Sequence, residues 1–286
     1  MKFGASTFIW VSPFSNSSFY LFEKVKEMGF DVLEVCVEDP NTIDPHAIRD
    51  AAERAGIEVL ICGAFGPSRD ISSENPKIQE DGCKYIRQCI DIASTVGSGL
   101  VSGPMYAAVG VTRPLAPDER KKQWARAVEN MKVLVDYASK KEVKLAIEPL
   151  NRFETDFINT VQQGLAFLDM INSENVGFLL DTFHLNIEEK SITSAIKSAD
   201  KKIFNFHASA NDRGTPGEDH LPWVDIFSAL KDIGYDDYTV IESFNINITE
   251  IAQAVSLWRP LAASDDDLAQ NGLKFLKGIY KSSAKS

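Results

Sequence analysis

Several short β-prone runs in the second half of this chain each end in one ionisable side chain. Residues 145–154 read LAIEPLNRFE, 177–184 GFLLDTFH, 203–209 IFNFHAS and 238–244 YTVIESF. The ionisable positions are Glu148, Asp181, His207 and Glu242, separated by 33, 26 and 35 residues. Such intervals hold one strand, one loop and one helix, the repeat of a βα unit. Ends so far apart in sequence meet when their strands are parallel neighbours, and a parallel barrel delivers all of them to one face. Three carboxylates and an imidazole gathered there repel one another without a cation, so the pattern predicts a divalent-metal site.

The remaining chain supports that repeat. Strands are expected at residues 2–10, 32–37, 58–65 and 100–106, ahead of the four runs above, with helices at 19–28, 45–55, 76–96, 117–141, 161–171, 192–199 and 223–233. Asp44 as cap, Pro45 in the first turn and Gly56 after the end mark the second helix, and Gly29 and Gly234 end two others. The tail from 249 reads as a helical segment broken at Pro260 and at the acidic run 264–267. No Gly/Ser linker interrupts the chain, so residues 1–286 are expected to form a single domain, a (β/α)8 TIM barrel of the α/β class with a C-terminal helical extension over 249–286. An open doubly wound sheet competes, but no GxGxxG follows the first strand.

Composition narrows the partners. A net charge of −11 opposes binding to nucleic acid or to an anionic membrane. No run approaches the ~18 apolar residues of a spanning helix, and no basic start precedes an apolar core, so a cytoplasmic protein without membrane partners is expected. Cys36, Cys62, Cys83 and Cys89 show no ligand or redox spacing and read mainly as small buried apolar residues.

Glu148, Asp181, His207 and Glu242 offer three oxygens and one nitrogen, a set suited to Mn²⁺, Mg²⁺ or Co²⁺. Taken singly, each could equally be a salt bridge or a cap. Further polar residues follow them into the loops: Glu154, His184 and Arg213, at positions where a substrate would be met. The bland alternatives are a surface or core histidine for His184 and, for Arg213, a loop salt bridge with Asp212 or Asp219. His46 and His220 lack such placement and are read as structural. Phe8, Trp10, Cys62, Phe65, Tyr106 and Phe244, near other strand ends, are expected to line the pocket or to be plain core.

The segments IEPLNRFE, LLDTFH, FHASANDRGTPG and VIESF resemble the ketose 3-epimerases, the D-tagatose 3-epimerase and D-psicose (D-allulose) 3-epimerase family of the xylose-isomerase-like barrels. The resemblance spans the chain and is strongest after residue 100. It implies epimerisation at carbon 3 of a free ketose, of the D-tagatose, D-psicose/D-fructose or L-ribulose class, through a cis-enediolate. It also implies dependence on Mn²⁺ or Co²⁺, with Glu148 and Glu242 both ligands and the acid/base pair, Asp181 and His207 completing the set, and Glu154, His184 and Arg213 on the substrate. A homodimer or homotetramer is expected by the same analogy.

The chemistry is coherent with those residues. Removing a proton beside a ketone requires stabilising the oxyanion, which a metal does as a Lewis acid. Inverting the centre then requires a base on each face. Rival readings are a sugar-phosphate epimerase, an aldose–ketose or hydroxypyruvate-type isomerase, a metal-dependent endonuclease and a non-catalytic sugar-binding subunit. The loop after the last strand, SFNINITE, has neither glycine nor base for a phosphate, and the acidity opposes the endonuclease.

Overall fold

A computed structural model describes residues 1–283. Its strands are β1 (Lys2–Ser6), β2 (Val32–Val37), β3 (Glu58–Gly63), β4 (Leu100–Gly103), β5 (Lys144–Ile147), β6 (Val176–Asp181), β7 (Ile203–His207) and β8 (Tyr238–Ile241). All pair in parallel and in chain order, and β8 returns to β1 to close the barrel. Between or after them run α1 (Tyr20–Met28), α2 (Pro45–Ala55), α3 (Pro76–Val96), α4 (Pro117–Lys140), α5 (Val161–Ile171), α6 (Thr182–Glu188), α7 (Ile192–Ala199), α8 (Trp223–Asp232), α9 (Thr249–Ala254) and α10 (Asp265–Ser283). No helix among the described residues is long and apolar enough to cross a membrane.

Local chemistry sets these boundaries. Asp44 accepts hydrogen bonds from the backbone of His46 and Ala47 at the start of α2, and Gly56 ends it at φ 64, where a side chain would be strained. Gly164 on α5 faces β6 so closely that a Cβ would lie 2.4 Å from the Phe178 ring, so any larger residue would have to push that buried ring aside.

Side chains alternate along each strand. The outward set, such as Leu33, Val35, Ile61, Leu145 and Phe206, joins the helices in one apolar layer. The inward set is stratified. Val32, Leu60, Leu100, Ala146, Leu179 and Val240 plug the lower end. Above them Asn205 donates to Glu34 Oε2 at 2.9 Å and to Ser102 Oγ at 3.3 Å, and the strand C-termini lie above that. A register shift between Phe178 and Leu179 lets β7 set Asn205 beside Leu179 and His207 beside Asp181, so both β7 side chains turn inward.

Several boundaries differ from the expected ones. β1 stops at Ser6, whose hydroxyl accepts the backbone N–H of Phe8 and starts a 3-10 turn over Thr7–Ile9. β4 ends at Gly103, which turns the chain away at φ 127. After Asp181 the expected strand becomes α6, because the aspartate caps Phe183. The acidic run near 264–267 starts α10 instead of breaking the tail: Ser264 Oγ accepts from Asp267 N, and acids are favourable in a first turn. Residues 284–286 of the expected extension lie outside the described residues.

Candidate active site

The ends of β5 to β8 bring Glu148, Asp181, His207 and Glu242 together. All four are buried, and one donor atom from each lies within 4.8 Å of the others. Asp181 spends Oδ1 on the Phe183 N–H at 2.7 Å, which leaves Oδ2 facing the cluster. His207 turns Nε2 toward the Glu34 carboxylate, hydrogen-bonding Oε2 at 3.2 Å with Oε1 also 3.0 Å away. Its Nδ1 is buried without a hydrogen-bond partner, 3.6 Å from Glu242 Oε2 and 4.0 Å from Asp181 Oδ2. A histidine that gives one ring nitrogen to a carboxylate and presents the other to a cluster of acids has the arrangement metal-ligating histidines adopt. Three carboxylates and this orphaned nitrogen fit a divalent cation.

The electrostatics agree. Burial opposes charging His207, yet Glu34 and Glu242 outweigh it and raise its pKa well above the ordinary value, so this spot favours positive charge. Burial, then the nearby Glu242, holds the Glu148 carboxyl well above the usual range. Burial pushes Glu242 the same way, but His207 and Arg213 outweigh it and hold its carboxyl low.

Arg213 supplies the other cation. It sits at φ 67 in the loop after β7, where Ser243 Oγ donates to its carbonyl at 2.6 Å. Its Nη1 donates to Asp181 Oδ2, to Glu242 Oε2 at 2.9 Å and to Ser209 Oγ at 3.2 Å. The alternative loop pairing does not form: Asp212 binds Arg259 at 2.7 Å, and Asp219 accepts from Leu221 and Trp223. His184, on α6, is buried with Nδ1 3.1 Å from the Asn151 N–H and Nε2 3.1 Å from Arg213 Nη2. Burial and the Arg213 charge lower its pKa to about 3, so the ring is neutral. Glu154 accepts from Asn151 Nδ2 at 2.8 Å, and burial raises its pKa.

A cavity of about 400 Å³ opens over this group. Glu148, Glu154, His184, Arg213 and Glu242 form one wall; Phe8, Cys62, Phe65 and Phe244, with Ile251, Ala254 and Val255 around α9, form the other. Two expected lining residues are elsewhere. The turn after Ser6 carries Trp10 away, and its indole donates to Asp266 of α10 at 2.7 Å. Tyr106 is wholly buried; its ring stacks on Phe157 and its hydroxyl donates to the Glu148 carbonyl at 2.8 Å, supporting the end of β5 from behind. His46 and His220 are exposed and outside this group. A cavity of about 460 Å³ at the other end of the barrel is lined by charges such as Lys2 and Glu58, which pair at 2.6 Å, and gathers no comparable donor set.

Sequence reasoning missed Glu34 and Asn151. The signal for Glu34 was a carboxylate inside an apolar run, VLEVCV, at an inward position of the strand. Asn151 was visible only as a neighbour of Glu148; its bridge between Glu154 and His184 depends on the loop's path.

Comparison with known proteins places this geometry. The family model of the xylose isomerase-like TIM barrels matches residues 22–279. A "Probable ketose 3-epimerase" of Synechocystis sp. is 36% identical over 98% of this chain and 97% of its own length, and a D-psicose 3-epimerase of Agrobacterium fabrum is 30% identical over 98% and 99%. A solved D-allulose 3-epimerase from Methylomonas sp., in complex with D-allulose, superposes with a TM-score of 0.92 at 29% identity, covering 98% of this chain and 97% of that one. The chain therefore belongs to the xylose isomerase-like TIM barrels and, among them, to the ketose 3-epimerases, which are isomerases.

Proposed function

We propose that this enzyme inverts carbon 3 of a free ketose, of the D-psicose, D-tagatose or L-ribulose kind, using Glu148 and Glu242 as its acid/base pair. The observation that carries the reading is the meeting of these two carboxylates, from β5 and β8, in the wall of one cavity, within donor-atom reach of the buried Asp181 and His207. Glu148, Asp181, His207 and Glu242 would hold a divalent cation, Mn²⁺ first and Co²⁺ or Mg²⁺ as substitutes, given three oxygen donors and one nitrogen. Bound there, the cation supplies Lewis acidity.

The chain's own groups supply the rest. One glutamate takes the carbon 3 proton from one face, and the other returns a proton to the opposite face. Neutral His184 and cationic Arg213 hydrogen-bond the sugar oxygens and stabilise charge as it develops. Glu154, held by Asn151, fixes a hydroxyl. The apolar wall covers the sugar's carbon faces and keeps water from the enediolate.

An unphosphorylated substrate is favoured because, among the described residues, Arg213 is the one cationic side chain lining the cavity, and it already serves two carboxylates. A dianionic phosphate would meet Glu148, Glu154 and Glu242 with no spare cationic side chain to pair with it. The test is turnover in D₂O: deuterium should enter carbon 3 of the product from the first turnover. Deuterium at carbon 1 would instead establish an aldose–ketose isomerase, and epimerisation without any exchange would exclude the proton-transfer route.

A further inference from the structure

Behind the apolar wall, two thiols that the proposed chemistry does not use lie beside Glu34, the carboxylate that orients His207. Strand alternation sends Glu34 and Cys36 of β2 and Cys62 of β3 into the barrel, and the register sets Cys36 opposite Cys62. One donor atom from each of Glu34, Cys36 and Cys62 lies within 4.8 Å of the others, and all three residues are buried. Ser6 adds a hydroxyl 3.3 Å from the Cys36 sulfur. Glu34 Oε1 is buried and accepts no hydrogen bond; His207 Nε2 lies 3.0 Å from it but makes its hydrogen bond to Glu34 Oε2. Spacing along the chain gave no hint of a ligand set among the cysteines, because the closeness of Cys36 and Cys62 comes from strand pairing.

We propose that Glu34, Cys36 and Cys62 form an inhibitory site for a thiophilic divalent cation, Zn²⁺ or Cd²⁺, distinct from the carboxylate-rich cluster and linked to it through Glu34. Two sulfurs and one carboxylate oxygen select softer ions than three carboxylates and one imidazole do. An ion about 2.3 Å from each sulfur in a tetrahedral site holds the two sulfurs roughly 4 Å apart, so small side-chain adjustments suffice. The Ser6 hydroxyl or a water completes four-coordination. Binding requires no redox partner: each thiol releases its proton to solvent as its metal–sulfur bond forms, and no electron is transferred.

Entry is through the ketose cavity, because Cys62 lines it and Cys36 lies behind. The consequence follows from the shared carboxylate. Glu34 engages His207 Nε2 and receives the amide of Asn205. Drawn toward the thiols, it releases the imidazole it orients, while the ion occupies the floor under the sugar. A soft ion therefore inhibits without displacing the cation of the other cluster.

The test is a Cd²⁺ titration of the Mn²⁺-loaded enzyme, kept anaerobic with a thiol-free reductant. The expected result is one Cd²⁺ bound with Mn²⁺ retained, an ultraviolet thiolate-to-cadmium charge-transfer band, and inhibition that follows the band. Cys36→Ser should abolish the band and raise the half-inhibiting Cd²⁺ concentration by at least about tenfold, the smallest loss caused even by removing a residue that only supports a ligand. Cys83→Ser and Cys89→Ser, on α3, should leave the band intact. A band that survives Cys36→Ser, or Cd²⁺ uptake that expels Mn²⁺ without a band, overturns the proposal. Should Cys36→Ser not fold, X-ray absorption at the cadmium edge of the unsubstituted enzyme decides: sulfur neighbours support the site, and an all-oxygen environment removes it. The band and the absorption edge are read without any sugar, so they stand apart from the ketose assignment.

Discussion

The rim of this barrel consists of two unlike halves. β5 to β8 end in Glu148, Asp181, His207 and Glu242, with Arg213 bridging Asp181 and Glu242. β1 to β3 lead to Phe8, Cys36, Cys62 and Phe65, and Phe244 folds over from the far side to meet Phe8 at 5.4 Å between ring centres. Both halves are buried at strand ends, yet one turns ionisable groups toward the cavity and the other turns rings and a thiol toward it, with Glu34 of β2 spent below on His207 and Asn205. Low polarity on the second half strengthens every interaction on the first, since charges facing a wall without water are poorly screened. The proposed chemistry belongs to the charged half, and recognition of the sugar's carbon skeleton to the apolar one.

This division can be broken experimentally, and the largest effects should come from the charged half. Glu148→Gln and Glu242→Gln keep an oxygen but lose a base, so each should lower epimer conversion by about 10²–10⁴-fold, measured by chromatography. Near-normal conversion in either variant would take the acid/base role away from these strand ends. One variant can still exchange the carbon 3 hydrogen of one epimer, which would assign each glutamate to a face.

Arg213→Ala should lower turnover while metal content, by elemental analysis, stays nearly intact. After chelation it should also lose roughly 3–5 kcal/mol in denaturant unfolding, because two buried carboxylates lose their partner. Loss of metal from the loaded variant would place Arg213 with the cation instead of the sugar.

On the apolar half, Phe244→Ala should raise KM by about tenfold and change kcat little, as expected for contacts made equally in ground and transition states. A fall in kcat with unchanged KM would show that this wall takes part in the chemical step. The smallest effect is expected from Tyr106→Phe, which removes a hydroxyl that supports the Glu148 carbonyl without reaching the cavity. It should cost about 1 kcal/mol in thermal unfolding and leave kcat/KM unaltered; a changed KM would return Tyr106 to the lining.

Much of the scaffold was legible because its signals are local. The spans of α2, α3, α5 and α7 follow from caps, a first-turn proline or the apolar period of the helix itself. α6 was hidden because Asp181 reads both as the end of a strand and as a helix cap, and only the capping of Phe183 decides. Trp10 and Tyr106 were misplaced because β1 and β4 end earlier than their apolar runs suggest, so the residues beyond Ser6 and Gly103 follow turns instead of the barrel axis.

The sequence by itself determined the order of βα units, the acidity, and the four donors at the ends of β5 to β8, since strand alternation and βα spacing are properties of neighbouring residues. Tertiary structure alone decided which groups face one another. Arg213 bypasses Asp212 beside it for Asp181 and Glu242, Glu34 reaches His207 across 173 positions, and Cys36 meets Cys62. The cause is physical: these pairings depend on strand register, on the shift between Phe178 and Leu179, and on the closure of β8 onto β1, which are properties of the whole ring and of no single segment.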